Sequence, residues 1–398
     1  MVVGGGAAGV AAVETLRAEG FTGSLALVCG EPELPYDRPP LSKQVLTGAW
    51  DPDRTRFREA SHYAELNVRL VHGAARSLDA AGRMVELIDG YRLAYDGLII
   101  ATGVRPRRLP SGHDLAGVHV LRGLADVAAL RDAFDASGAT GRVVIVGAGF
   151  LGMEVAAAAR GLGLHVTVVD PLTEPMIRQV GPVVGAAVAA LHRGQGVVVR
   201  TGTGVTGLVG TSGVGDAAEA EDGAGRVTGV ALDDGSTLPA DCVLVAIGAV
   251  PETEWLTGSG LSLGNGVECD EYLRAASGVY AAGDVASWPS PRYQRRVRVE
   301  HRMNATEMGS CAAKNLLNEE AGREPVPFDP LPYFWSDQYK VKLQVHGDLS
   351  AECTPTIEEG SVEDGKFVAV FRRDGVPSAV LGWSAAARMP GYRKLLLG

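Results

Sequence analysis

Arg142-Val143-Val144-Ile145-Val146-Gly147-Ala148-Gly149-Phe150-Leu151-Gly152 decides how this chain folds. The apolar β-branched run Val143 to Val146 reads as a buried strand. The glycines that follow meet three needs of a phosphate-cradling turn: a tight reversal, close approach of backbone to ligand, and tight helix–strand packing. Glu154 to Arg160 continues a helix, Leu164 to Val169 reads as the next strand, and Asp170 closes it, 23 residues after Gly147. In such a unit an anion sits against the unpaired N–H groups at the helix start, and the carboxylate meets a ribose hydroxyl.

The same grammar occurs a second time, 143 residues earlier. Met1-Val2-Val3 leads into Gly4-Gly5-Gly6-Ala7-Ala8-Gly9; a helical run from Val10 to Glu19 is stopped by Gly20; Ser24 to Val28 reads as a strand, and Glu31 follows. The first strand is short, which predicts a start a few residues upstream. A further pair keeps nearly the same offset. Leu98-Ile99-Ile100-Ala101-Thr102-Gly103 has its counterpart in Leu244-Val245-Ala246-Ile247-Gly248, with Gly103 and Gly248 separated by 145 residues. Each run ends in small residues where a backbone can pass close to a ligand. One glycine fingerprint is a weak signal, but two with a shared offset predict an α/β chain of two homologous, doubly wound halves. Such a chain holds two dinucleotides, between which electrons can pass.

Composition bounds the class. At 398 residues there is room for two or three domains, and 46% apolar with 21% charged residues suits a soluble protein. No apolar run approaches the roughly 18 residues of a membrane span. The N-terminus lacks the basic segment of a secretory leader, so neither membrane nor export is expected. Five cysteines are scattered, Cys29, Cys242, Cys269, Cys311 and Cys353, without a C-x-x-C pair or metal-ligand spacing. That predicts reduced thiols in the cytoplasm, no metal site and no redox dithiol. A net charge of −10 argues against nucleic acid as a partner. Against that background Arg292, Arg295, Arg296, Arg298 and Arg302 cluster, as do Arg54, Arg56 and Arg58, and the former could dock an acidic partner. Residues 207–225, small and acidic, read as a solvent-exposed excursion between strands.

Leu34-Pro35-Tyr36-Asp37-Arg38-Pro39-Pro40-Leu41-Ser42-Lys43 resembles the signature loop of the pyridine-nucleotide-dependent ferredoxin reductases of oxygenase systems, the putidaredoxin reductase and dioxygenase reductase family. The resemblance continues through Tyr280-Ala281-Ala282-Gly283-Asp284-Val285-Ala286 and Pro332-Tyr333-Phe334-Trp335-Ser336-Asp337-Gln338, spanning nearly the whole chain in the expected order. Thiol-dependent relatives carry redox cysteines that this chain lacks.

The resemblance implies a glutathione-reductase-like architecture. Residues 1–112 and 247–317 would bind FAD, residues 113–246 NADH, and residues 318–398 would form a small α+β C-terminal domain. On FAD it places Gly4, Gly6, Ala7, Ala8 and Gly9 at the pyrophosphate and Glu31 at the ribose, although relatives often have two acids where this chain has Gly30-Glu31. Arg38 would lie near the phosphates, Ala101, Thr102 and Gly103 beside the cofactor, and Gly283 and Asp284 at the ribityl hydroxyls. Glu300, His301 and Phe334 would also contact the cofactor, and Trp335 would pack against the flavin's pyrimidine end. On NADH it places Gly147, Gly149, Phe150, Leu151, Gly152 and Gly248. Asp170 would accept both ribose hydroxyls and repel the extra phosphate of NADPH. Lys43 would lie near the isoalloxazine, paired with Glu154 across the two halves; a lysine there stabilises the anionic reduced flavin. Relatives often carry an aromatic residue where this chain has Arg302, which would weaken shielding of the flavin and add positive charge at the electron exit.

Electrons would arrive in pairs as hydride and leave singly to an acidic iron–sulfur ferredoxin docked near the arginine cluster, for use by a haem monooxygenase or ring dioxygenase. Two other classes stay open at this point. An NADH oxidase or small-molecule reductase would oxidise NADH rapidly in air. A redox-sensing protein resembling the apoptosis-inducing factors would be reduced slowly and hold a long-lived charge-transfer complex.

Overall fold

Val2–Val3 is the middle of a parallel sheet that orders its strands as Arg274–Ala276, Val279–Ala281, Leu98–Ile100, Val2–Val3, Leu25–Cys29 and Val68–His72. Only Arg274–Ala276 runs antiparallel to its neighbour. The sequence order therefore reverses at Val2–Val3, which pairs with Leu25–Cys29 on one side and Leu98–Ile100 on the other. Ligands of open α/β sheets sit at that reversal, beyond the carboxyl ends of the strands. Gly4 occupies that position.

The computed structural model describes residues 1–138, 140–211, 213–214, 225–349 and 354–397. The chain divides into two compact units, one of Met1–Asp37, Asp53–Arg105 and Val250–Tyr333, the other of Arg38–Pro52, Pro106–Ala249 and Phe334–Gly398.

In the first unit the strands carry Val, Leu and Ile on both faces, as a sheet covered on both sides requires. Leu27, Leu98, Ile99 and Ile100 are fully buried, and each such large aliphatic side chain contributes about 2 kcal/mol of burial. Helices Ala7–Ala18 and Arg302–Glu320 pack so closely that a Cβ on Gly309 would lie 2.1 Å from the Ala8 carbonyl oxygen. A small antiparallel sheet of Ala75–Asp79, Met84–Leu87 and Arg92–Ala94 and a four-stranded sheet of Leu263–Gly264, Gly266–Glu268, Ala286–Ser290 and Arg295–Val297 also belong to this unit.

The second unit repeats the plan. Its sheet runs Val198–Thr201, His165–Asp170, Arg142–Val146, Cys242–Val245 and Val118–His119, all parallel. The order reverses at Arg142–Val146, with Gly147 at its end. Helix Phe150–Gly161 is buried from Gly152 to Ala159, which its alanines permit. The repeat extends to individual bonds. Gly4 N–H donates to Val28 O and Gly147 N–H to Val169 O, each at 2.8 Å; Ala101 N–H donates to Val3 O at 2.7 Å and Ala246 N–H to Val146 O at 2.8 Å.

Two further sheets belong to this unit. Val205–Gly210 pairs antiparallel with Val227–Leu232, which pairs with Thr237–Pro239. The acidic run Asp216 to Asp222 between the first two strands lies outside the described residues. A five-stranded sheet, in the order Tyr333–Gln338, Val341–Gly347, Val376–Trp383, Lys366–Arg373 and Thr354–Ser361, is followed by the short helix Met389–Arg393. Two doubly wound α/β sheets and a C-terminal α+β element are thus present. No helix among the described residues is long and apolar enough to cross a membrane.

Candidate active site

Both glycine turns are shaped by what their backbones must clear. Gly4 has φ +120°, and a Cβ there would lie 2.1 Å from Ala101 O; a Cβ on Gly9 would lie 1.8 Å from Gly4 O. Gly147, with φ +107°, and Gly152 repeat this against Ala246 O at 2.4 Å and Gly147 O at 2.0 Å. Gly6 and Gly149 differ: a Cβ on either meets nothing within 4 Å. These are the two N-cap residues, and neither Ala7–Ala18 nor Phe150–Gly161 has a side-chain cap. Each turn therefore offers a space kept clear of side chain before N–H donors that have no intrahelical partner. A dinucleotide pyrophosphate fits both.

In the first unit the remaining expected residues gather on the same strand ends and on Arg302–Glu320. Thr102 Oγ1 donates to Glu252 O at 2.9 Å, and Glu252 N–H returns a bond to Gly103 O at 2.9 Å. Glu31 accepts the Tyr36 hydroxyl. Gly283, at φ +78°, lies so near Ala8 that a Cβ would sit 3.0 Å from that residue's own, and Asp284 O accepts from Arg298 at 3.0 Å. His301 is the N-cap of Arg302–Glu320, and burial pushes its imidazole down to about 4, so it is neutral at pH 7. One turn on, buried Asn304 has an amide oxygen with no hydrogen-bond partner. An unmatched acceptor behind an uncapped 19-residue helix suits a polar heterocycle with N–H groups of its own.

In the second unit Lys43 and Glu154 meet. Pro39–Ser42 forms a single 3₁₀ turn that delivers Ser42 and Lys43, while Phe150–Gly161 presents Glu154 from its second turn. Lys43 Nζ lies 2.5 Å from Glu154 Oε2, and their side chains are 13% and 9% exposed. Ser42 Oγ donates to the same oxygen at 2.6 Å, and Ser336 Oγ donates to Glu154 Oε1 at 2.7 Å. A carboxylate with three donors is a fixed anchor for one ammonium group.

The other expected residues of this unit surround the second turn. Asp170 Oδ2 accepts Ala148 N–H at 2.7 Å and Oδ1 accepts Leu172 N–H at 2.8 Å, so it braces the glycine turn. Gly248 O accepts Arg107 N–H at 2.9 Å. Arg38 Nη1 donates to Arg122 O at 2.7 Å. Leu151 and Trp335 are half-buried, and the Phe150 and Phe334 rings meet edge-on at 4.9 Å.

The arginine cluster is largely engaged with the first unit itself. Arg292 pairs with Asp329 at 3.5 Å and Arg298 with Glu300 at 2.7 Å, while Arg296 donates to Cys269 O and Ser287 O. Arg302 donates to Asp37 at 3.0 Å, and its guanidinium lies 5.3 Å from the centre of the Phe57 ring. Its charge is thus matched within the unit. Arg295 is exposed.

Cys29, Cys242, Cys269 and Cys311 are free, and burial pushes every one of these thiols up to about 11 or 12. None is a ready nucleophile.

Sequence reading missed the partners of Glu154 other than Lys43. Ser336 and Gln338 were visible as alternate residues of one strand, which places them on one face. His192, inside helix Ile177–Gly194, had no signal at all.

A family model described as pyridine nucleotide-disulphide oxidoreductase matches residues 1–309, and one described as reductase C-terminal matches residues 333–397. Rhodocoxin reductase of Rhodococcus erythropolis is 38% identical over 370 residues, 92% of this chain and 82% of that protein. The ferredoxin–NAD(+) reductase subunit of the benzene 1,2-dioxygenase system of Pseudomonas putida is 36% identical over 351 residues, 87% of this chain and 80% of its own. Among solved structures, the ferredoxin reductase for the CYP199A2 system from Rhodopseudomonas palustris is similar at a TM-score of 0.90 and 34% identity, covering 100% of this chain and 94% of that one.

Proposed function

This chain belongs to the pyridine nucleotide-disulphide oxidoreductase family, and on that premise we propose that it is an FAD-containing reductase passing electrons from NADH to an iron–sulfur ferredoxin that serves an oxygenase. The family is one of oxidoreductases that use a flavin and a nicotinamide nucleotide. A bound flavin supplies the exchange between a hydride donor and one-electron acceptors. The chain's residues bind, orient and exclude water.

The observation that carries the reading is the doubled glycine cradle in a chain without a C-x-x-C pair. Two nucleotides are held, and the described thiols are single, three of them buried and Cys311 half-buried, which favours an acceptor outside the chain. We assign the cradle of Gly4, Gly6 and Gly9 to FAD, within residues 1–112 and 247–317. The cradle of Gly147, Gly149 and Gly152 goes to NADH, within residues 113–246. Asp170 favours NADH over NADPH, because a carboxylate beside the ribose repels an added phosphate. Lys43, fixed by Glu154, holds positive charge where the reduced flavin becomes anionic. His301, neutral at pH 7, adds no competing charge. The free, protonated thiols suit a cytoplasmic setting.

Ferredoxins are typically acidic, and the docking face we propose includes Arg295 at the edge of the cluster. The experiment is steady-state turnover with NADH in air, following ferredoxin reduction and oxygen consumption together. Ferredoxin reduction should far outrun oxygen uptake. Oxygen uptake that accounts for all the NADH consumed would identify an oxidase.

A further inference from the structure

Glu154 is the end of a longer chain. Beyond Ser336, Gln338 Nε2 donates to Ser336 Oγ at 3.2 Å, His192 Nε2 lies 2.9 Å from Gln338 Oε1, and the Tyr339 hydroxyl lies 3.4 Å from His192 Nδ1. Ser336, Gln338 and His192 are all 0% exposed. All of these residues belong to the second unit.

The bonding fixes the direction of every proton. Ser336 has one hydroxyl proton, and the carboxylate takes it, so Ser336 Oγ accepts from the Gln338 amide N–H. That sets the amide's orientation and leaves Gln338 Oε1 facing His192. Two acceptors cannot share a hydrogen bond, so His192 carries its proton on Nε2, and Nδ1 is left to accept from Tyr339. From Tyr339 to Glu154 every donor points the same way. Each bond polarises the next, and the series ends on a negative charge.

Such a series is costly to bury and unnecessary for packing, since apolar residues of similar size would fill the same space. Tyr339 also holds a left-handed backbone, φ 55°, which is rare for a bulky side chain and persists where surroundings enforce it.

We propose that Ser336, Gln338 and His192 are positioning residues: they orient the Glu154 carboxylate, and through it the Lys43 ammonium, for the flavin reaction. The inference rests on the reading of Lys43 as the residue that faces the flavin. The chain has six lysines, and the other five, Lys314, Lys340, Lys342, Lys366 and Lys394, are exposed. This makes Lys43 separately observable.

The test is NMR of the full-length, FAD-loaded protein with ¹⁵N-labelled lysine and histidine. One slowly exchanging ammonium signal is expected, absent from Lys43→Arg, together with a His192 ring protonated at Nε2. In Gln338→Met and Ser336→Ala that ammonium should exchange about tenfold faster, the loss of roughly one charge-assisted hydrogen bond. Flavin reduction by NADH should slow by about fivefold in both with KM unchanged, and Ser336→Thr should recover both properties. An ammonium signal unmoved in folded Gln338→Met and Ser336→Ala proteins would overturn the proposal. So would a His192 ring protonated at Nδ1 in the parent protein, a result that needs no variant to fold. A signal that responds while flavin reduction does not would leave the positioning intact and remove Lys43 from the flavin.

Discussion

Lys43 and Glu154 stand 111 residues apart in sequence and 2.5 Å apart in space, with both side chains largely removed from water. At that depth the pair is worth more broken than made: loss of one partner strands the other as an uncompensated charge. Lys43→Met, which keeps the aliphatic stem, should lower stability by about 3 kcal/mol, and Glu154→Gln by less, because an amide oxygen still accepts from a serine. Chemical denaturation of both variants, with the double variant closing the cycle, checks this. Costs below about 1 kcal/mol for both single variants would show that the pair behaves as an exposed one.

The glycines should separate folding from binding. Gly4→Ala forces a Cβ to within 2.1 Å of Ala101 O and should lower the melting temperature of the flavin-free protein. Gly6→Val and Gly149→Val project into open space and should leave that temperature unchanged. Gly6→Val should abolish flavin retention, and Gly149→Val should raise the KM for the nicotinamide nucleotide. Thermal melts and flavin content measured on the same preparations distinguish these outcomes.

Asp170 serves two ends, and its replacement should show both. Asp170→Asn keeps one acceptor for the glycine turn but removes the charge that repels an added phosphate. The ratio of kcat/KM for NADH to that for NADPH should fall about tenfold. An unchanged ratio would place nucleotide choice elsewhere.

Arg295 and Arg296 should respond differently to replacement. Arg295→Glu should raise the ferredoxin KM several-fold, by an amount that shrinks as salt is added, with kcat for artificial acceptors unaffected. Arg296 donates to two backbone carbonyls, so Arg296→Gln should mainly cost about 1–2 kcal/mol of stability. Kinetics across ionic strength, together with melts of each variant, separate the two roles.

Stability should decline on mild acidification for a definite reason. His192 and His301 are held down to about 4 by burial, below the ordinary histidine value of about 6.5. The unfolded chain then binds more protons than the folded one between those limits. The stability from keeping each ring neutral is complete above about pH 6.5 and is lost as pH falls toward 4, about 3 kcal/mol for each ring over that span. His192→Asn should flatten the acid limb of a stability–pH curve. A limb of unchanged slope would show that His192 is not held neutral.

Much of the fold was legible because it is written twice. Arg142–Val146 is the strand read from its β-branched run, and the offset of 143 to 145 residues reappears as matched hydrogen bonds at Gly4 and Gly147, Ala101 and Ala246. Boundaries moved by a residue where the pattern was soft: the strand expected at Leu164 begins at His165 and takes in Asp170. The site was legible only where a motif names it. Nothing local to His192 or Gln338 announces a partner 146 residues away, because a buried polar contact is a property of packing. Charge was the least legible of all. Five neighbouring arginines read as a basic patch, yet Arg292, Arg296, Arg298 and Arg302 bond to acids or carbonyls in their own unit.

Anaerobic titration of the FAD-loaded protein with NADH, followed by addition of an oxidised ferredoxin, tests the account most directly. One equivalent of NADH should bleach the flavin, and about two equivalents of a one-electron ferredoxin should restore its colour while becoming reduced themselves. A flavin that NADH leaves oxidised, or one that regains colour only when air is admitted, would contradict it.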